Sequence, residues 1–126
     1  METKEKILVV DDEKNMCKIL RDYLEEDGYE VIEVYSGRDA LDITKKENLC
    51  LVIIDVALSG IDGYMLARAL RGDEKTFLVP IIMISAKKKE YKDKLVGFIS
   101  GACDYLVKPF TREELLNSVH RALPLQ

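Results

Sequence analysis

Leu51-Val52-Ile53-Ile54-Asp55 runs straight into Val56-Ala57-Leu58-Ser59-Gly60-Ile61-Asp62-Gly63. An apolar run with no polar alternate reads as a strand buried on both faces, as in a parallel sheet. Asp55 then closes that strand at its C-terminal lip, where open α/β sheets bind their ligands. A carboxylate beside a buried run is unfavourable unless it has a partner or a chemical task. The arrangement recurs on either side. Ile7-Leu8-Val9-Val10 leads into Asp11-Asp12, and Ile81-Ile82-Met83-Ile84 leads into Ser85. Strand ends carrying two acids, one acid and one hydroxyl describe a site rather than a core.

Working outward, strand-like runs alternate with helical patterns along the whole chain, the signature of βα units around a parallel sheet. The expected strands are 6–10, 30–35, 50–54, 80–84 and 103–107. Met16, Ile19, Leu20, Tyr23 and Leu24 recur at helical spacing, and Tyr64, Leu66, Ala67 and Leu70 do so more weakly. Leu115, Leu116, Val119 and Leu123 make the stripe of a last helix. Segment 88–100 offers Tyr91, Leu95, Phe98 and Ile99 among lysines, the weakest of the helical patterns. Gly28 ends the first helix, Ser36-Gly37 opens the second, and Thr111-Arg112-Glu113-Glu114 has the form of a capping box. Asp62-Gly63 reads as the turn into the third helix, and an isolated Asp11 or Asp12 would read as a helix cap. Glu33, in the middle of the second strand, marks an edge of the sheet. With no repeat, low-complexity tract or linker, residues 1–126 are expected to form one domain.

Composition narrows the function classes. Of 126 residues 48% are apolar, enough for one core, and the formal net charge is -4. A general nucleic-acid binder needs a basic face, which this balance argues against. No apolar stretch approaches the ~20 residues that span a bilayer, and Met1-Glu2-Thr3-Lys4-Glu5-Lys6 lacks the apolar centre of a signal peptide. A cytoplasmic protein without membrane contact is the expectation. Cys17, Cys50 and Cys103 lack the paired spacing zinc requires and read as small core residues in a reducing compartment.

Gathered at the strand ends, Asp11, Asp12 and Asp55 would each start from a pKa near ~4 and repel one another at neutral pH. A hard divalent cation relieves that repulsion, and Mg²⁺ takes oxygen ligands while leaving room for a phosphate oxygen. The site therefore suits phosphoryl chemistry, with Asp55 as a nucleophile able to form an acyl phosphate. Such a transfer spreads charge over the equatorial oxygens and calls for fixed positive charge. Lys108, between Val107 and Pro109, can reach inward from the last strand, and Ser85 can donate its hydroxyl. No Gly-x-x-x-x-Gly-Lys loop occurs, so no nucleotide-binding P-loop supplies the phosphoryl group.

Five segments carry a family likeness: Val9-Val10-Asp11-Asp12-Glu13, Ile53-Ile54-Asp55-Val56, Ile61-Asp62-Gly63, Met83-Ile84-Ser85-Ala86, and Gly101-Ala102-Cys103-Asp104-Tyr105-Leu106-Val107-Lys108-Pro109-Phe110. In order and spacing the chain resembles the receiver domain of two-component response regulators over nearly its whole length. The resemblance implies a flavodoxin-like α/β fold, a five-stranded parallel sheet in order 2-1-3-4-5 with helices on both faces. It implies that Asp55 accepts a phosphoryl group from a histidine kinase or phosphotransfer protein, a signalling step rather than turnover of a separate substrate. Mg²⁺ would be bound by the carboxylates of Asp12 and Asp55 and the carbonyl of Ala57, with Asp11 close by or acting through water. Ser85 and Lys108 would engage the phosphoryl group, and Tyr105 would turn inward when Ser85 moves. The Lys108–Pro109 bond would be cis. The downstream partner would be an effector, or a second copy in a phosphorylation-dependent dimer, with no direct contact to nucleic acid.

Two positions depart from the pattern of many receivers, which have Met two residues and Pro four residues after the phosphoacceptor. Here they are Ala57 and Ser59. The first change opens the pocket mouth and the second frees the loop backbone. Ala57, together with Lys87 two residues beyond Ser85, stands where the family tunes phosphoryl lifetime. A degenerate receiver working by its surface alone would not need the full set of groups present. A haloacid-dehalogenase phosphatase wants a second Asp where this chain has Ala57, and in a flavodoxin Asp11-Asp12-Glu13 would repel the phosphate. His120 reads as a charge suited to a helix C-terminus. Lys87, Lys88, Lys89, Lys92 and Lys94 read as a solvated helix start or a contact face.

Overall fold

A computed structural model describes residues 4–86 and 101–123. Five strands, β1 (Lys6–Val10), β2 (Glu30–Val34), β3 (Leu51–Asp55), β4 (Ile81–Ser85) and β5 (Asp104–Val107), form one parallel sheet in the order β2-β1-β3-β4-β5. The helices among the described residues are α1 (Lys14–Glu26), α2 (Gly37–Lys46), α3 (Gly63–Arg71) and α4 (Arg112–Ala122). The helix expected within 88–100 and the basic cluster beginning at Lys87 lie outside the described residues.

All of β3 and β4 is buried, as unbroken apolar runs require when both faces of a parallel sheet are covered. Successive side chains divide between two layers because a strand alternates its faces. Ile7, Val9, Ile53, Ile82 and Ile84 pack with Cys17, Leu20 and Leu24 of α1 and with Leu115, Leu116 and Val119 of α4. Leu8, Val10, Val52, Ile54 and Met83 pack on the other side with Ala40 of α2 and with Leu66, Ala67 and Leu70 of α3. Glu33 does lie on the edge strand, where it pairs with Arg21 of α1.

Helix ends follow local chemistry. Ser36 and Asp62 accept from the N–H groups of Asp39 and Met65, and Thr111 with Glu114 completes a capping box. Gly28, at φ 95°, lies just past the end of α1 in the left-handed region that glycine tolerates. Neither Asp11 nor Asp12 caps α1; Glu13 stands at that position without a side-chain bond. Two expectations need correction. Ile19 is 42% exposed, because Cys17, Leu20 and Leu24 define the buried face and Ile19 is rotated off it. Of the cysteines only Cys17 is core; Cys50 is half-buried, and Cys103, ahead of β5, is exposed.

Candidate functional site

The sheet fixes the backbone of the site. Past the paired strands the ladder continues: Asp11 N–H donates to Val34 O (3.2 Å), Val56 N–H to Ile84 O (2.8 Å) and Lys108 N–H to Ser85 O (2.7 Å). Asp11, Asp55 and Lys108 therefore project from anchored points at the C-terminal ends of β1, β3 and β5. Asp55 and Ser85 are the last residues of their strands, and both are buried.

Asp11, Asp12 and Asp55 each offer a carboxylate oxygen within 4.8 Å of the other two. Asp11 is 1% exposed and Asp55 7%, while Asp12 faces solvent. Each buried acid is held by a backbone N–H two residues on: Glu13 donates to Asp11 Oδ1 at 2.9 Å and Ala57 to Asp55 Oδ1 at 3.0 Å. Lys108 Nζ bridges their second oxygens, at 3.1 Å from Asp11 Oδ2 and 3.3 Å from Asp55 Oδ2. Asp12 Oδ2 accepts from Ser59 Oγ at 3.2 Å.

Burial pushes the Asp11 carboxyl up to about 6; the charge of Asp55 adds to this, and the Glu13 N–H and Lys108 oppose it without cancelling it. Burial also works against the Lys108 ammonium, but hydrogen bonds and charge from Asp11 and Asp55 outweigh it and raise its pKa. Three carboxylates against one ammonium sum to two negative charges when all are ionised. A divalent cation seeking hard oxygen ligands balances that sum, so the donor set fits Mg²⁺.

The third helix starts against this cluster. Gly63 N–H donates to Val56 O at 3.0 Å, and a Cβ on Gly63 would lie 2.5 Å from Asp55 O. Only a glycine lets α3 begin so close to the end of β3. Tyr105, half-buried on β5, shares a hydroxyl hydrogen bond of 2.8 Å with Tyr64 of α3. The Lys108–Pro109 bond is cis. Ala57 is exposed at the rim, and Lys87 lies outside the described residues.

Of the residues singled out in the sequence, Asp11, Asp12, Asp55 and Lys108 come together, with Ser85 ending the strand beside Asp55. Two contacts had no sequence signal. Tyr64 belonged to a helical stripe, and nothing in its spacing tied it to Tyr105. Ser59 registered as a relaxed loop constraint, not as a donor to Asp12.

A model of the response regulator receiver domain matches residues 7–120. Among solved structures, the chemotaxis protein CheY4 of Vibrio cholerae is 31% identical, with 96% of this chain and 100% of that one covered and a TM-score of 0.91. A protein assigned as a response regulator in Chloroflexus aurantiacus is 37% identical over 98% of this chain and 100% of its own, also with a TM-score of 0.91. The receiver domain of a sensor histidine kinase from Pseudomonas aeruginosa is 30% identical over 95% and 98%, with a TM-score of 0.86. That structure has a magnesium ion coordinated in its active-site cleft.

Proposed function

The chain belongs to the response regulator receiver domain family, and from that premise we propose that Asp55 is its phosphoacceptor, served by a histidine kinase or phosphotransfer protein. Receiver domains are signalling domains rather than classical enzymes, and the proposal treats residues 1–126 as one such unit. The observation that carries it is the Lys108 ammonium seated between Asp11 and Asp55, at the mouth formed by the ends of β1, β3 and β5.

In the proposed step an Asp55 carboxylate oxygen forms the new bond to phosphorus. The bond from phosphorus to the donor's histidine nitrogen breaks, and its electron pair returns to the imidazole. Lys108 already touches Asp55 Oδ2, so its charge stands ready for the phosphoryl oxygens. Ser85 donates its hydroxyl to one of those oxygens, and Tyr105 follows the movement of Ser85. Asp12 and Asp55 would hold Mg²⁺ through their carboxylates and Ala57 through its carbonyl, with Asp11 beside them or acting through water. Bound there, the ion offsets the repulsion among the acids and adds positive charge beside the phosphoryl group. Ala57 and Lys87 set how long the acyl phosphate lasts.

Among the described residues no helix is long and apolar enough to cross a membrane, and the proposal places the domain in the cytoplasm. Its output is altered contact with an effector or with a second copy. The test is intact-protein mass after incubation with Mg²⁺ and a small acyl phosphate donor. Wild type should gain one phosphoryl group, and Asp55→Asn should gain none. A wild type that gains nothing, or an Asp55→Asn variant that still gains one, overturns the assignment.

A further inference from the structure

Each of the three clustered acids is oriented by hydrogen bonds, and the donors differ in kind. Asp11 and Asp55 are each held by a backbone N–H and by Lys108. Asp12 has neither. Among the described residues, the donor to its carboxylate is the Ser59 hydroxyl, 3.2 Å from Oδ2. A solvent-facing aspartate otherwise exchanges among its rotamers, so this bond selects one orientation.

The donor itself stands on a pinned loop. Leu58, next to Ser59, is buried in the core layer that packs α2 and α3 on the sheet. On the far side Gly63 N–H is tied to Val56 O, and Asp62 caps α3 through Met65 N–H at 2.9 Å. These contacts anchor the loop on either side of the Ser59 hydroxyl, although Ser59 itself lacks the backbone constraint that a proline would impose.

We infer that Ser59 is a positioning residue for the divalent cation: its hydroxyl orients the Asp12 carboxylate and leaves the other oxygen of that side chain to the metal. The inference rests on reading the acidic cluster as a Mg²⁺ site. Outer partners that orient a ligating group typically change metal affinity by about 10–100-fold when removed. An exposed hydroxyl belongs at the low end of that range.

The test is calorimetric titration of Mg²⁺ alone into the full chain as wild type, Ser59→Ala, Ser59→Thr and Asp12→Asn. Ser59→Ala should bind about tenfold more weakly, and Ser59→Thr, which keeps a hydroxyl, should stay within about twofold of wild type. Thermal midpoints of wild type and the Ser59 variants in EDTA should agree within about 2 °C, which separates lost affinity from lost fold. If Asp12→Asn loses Mg²⁺ while Ser59→Ala binds as well as wild type, the cluster stands and the role of Ser59 is overturned. Tighter binding by Ser59→Ala also overturns it, since the hydroxyl would then compete with the ion. A wild type that binds no Mg²⁺ overturns the reading of the cluster, and the inference falls with it.

Discussion

Replacing Asp11 by Asn should stabilise the metal-free protein at neutral pH and do little in acid. Asp11 is 1% exposed, and burial, with the charge of Asp55 behind it, lifts its carboxyl from 3.8 to about 6. A folded pKa above the unfolded one means that folding takes up a proton. The Asp11 contribution is therefore fully present below pH 3.8 and is lost as pH rises through about 6. At ~1.4 kcal/mol for each pH unit between those values, the ionised side chain sets the folded state back by about 3 kcal/mol at pH 8. That figure already contains the favourable pull of Glu13 and Lys108, which act on the same carboxyl. Asparagine keeps the shape, can accept the Glu13 N–H and leaves Lys108 its contact with Asp55. For a domain of this size the gain corresponds to a midpoint higher by about 10 °C. The assay is thermal or urea denaturation in EDTA at pH 8 and pH 4, repeated with Mg²⁺ at pH 8. The difference should shrink below about 1 kcal/mol at pH 4, and added Mg²⁺ should stabilise wild type more than the variant. An Asn variant no more stable than wild type at pH 8, or equally favoured at both pH values, would refute the reasoning.

Gly63→Ala should lose about 2–3 kcal/mol in urea denaturation, because its Cβ would stand 2.5 Å from Asp55 O and 2.7 Å from Val56 Cα, both backbone atoms. The same variant should take up phosphoryl group less completely, since α3 can retreat only by moving the end of β3. Arg71 donates to the carbonyls of Thr76, Phe77, Val79 and Gly101 at 2.7–3.3 Å. Arg71→Met should therefore lose about 2–4 kcal/mol and speed amide exchange across 73–79. Asp104 is buried enough to raise its pKa, but hydrogen bonds from Ser118, Arg121 and the Tyr105 N–H hold it below the ordinary 3.8. Its stabilisation is present above pH 3.8 and is lost as pH falls further. Asp104→Asn should accordingly lose about 1–2 kcal/mol at pH 7, with the gap to wild type closing in more acidic solution.

β1, β3 and β4 were legible because a parallel strand buried on both faces leaves an unbroken apolar run, and all five strands lie within a residue or two of the expected bounds. The caps at Ser36, Asp62 and Thr111 were legible because each bond spans only a few residues of the chain. Helix faces were less secure. A stripe that includes Met16, Ile19, Leu20, Tyr23 and Leu24 is wider than the face α1 buries, and which edge of it turns outward depends on where the sheet lies. Cys103 misled for a related reason: a small apolar residue at a strand start suits core and rim alike, and here it is on the rim. Arg71 gave no signal at all, because the carbonyls it gathers belong to the backbone of any sequence.

By itself the sequence determined which groups stand at the strand ends. Apolar runs terminated by Asp11-Asp12, Asp55, Ser85 and Lys108 allow little else once the strands are parallel, since every C-terminal end then faces the same way. Burial and distance were decided only by tertiary structure. The Asp11 carboxyl rises to about 6 because β1 lies between β2 and β3 under two helical layers, a property of the assembled sheet. Lys108 meets Asp11 across 97 residues and Ser59 meets Asp12 across 47. Chain separation of that length carries no information about contact until packing supplies it. Asp55 stood out in the sequence as a carboxylate closing a buried strand, whereas the partners that orient it and its neighbours became visible only when the strands were laid side by side.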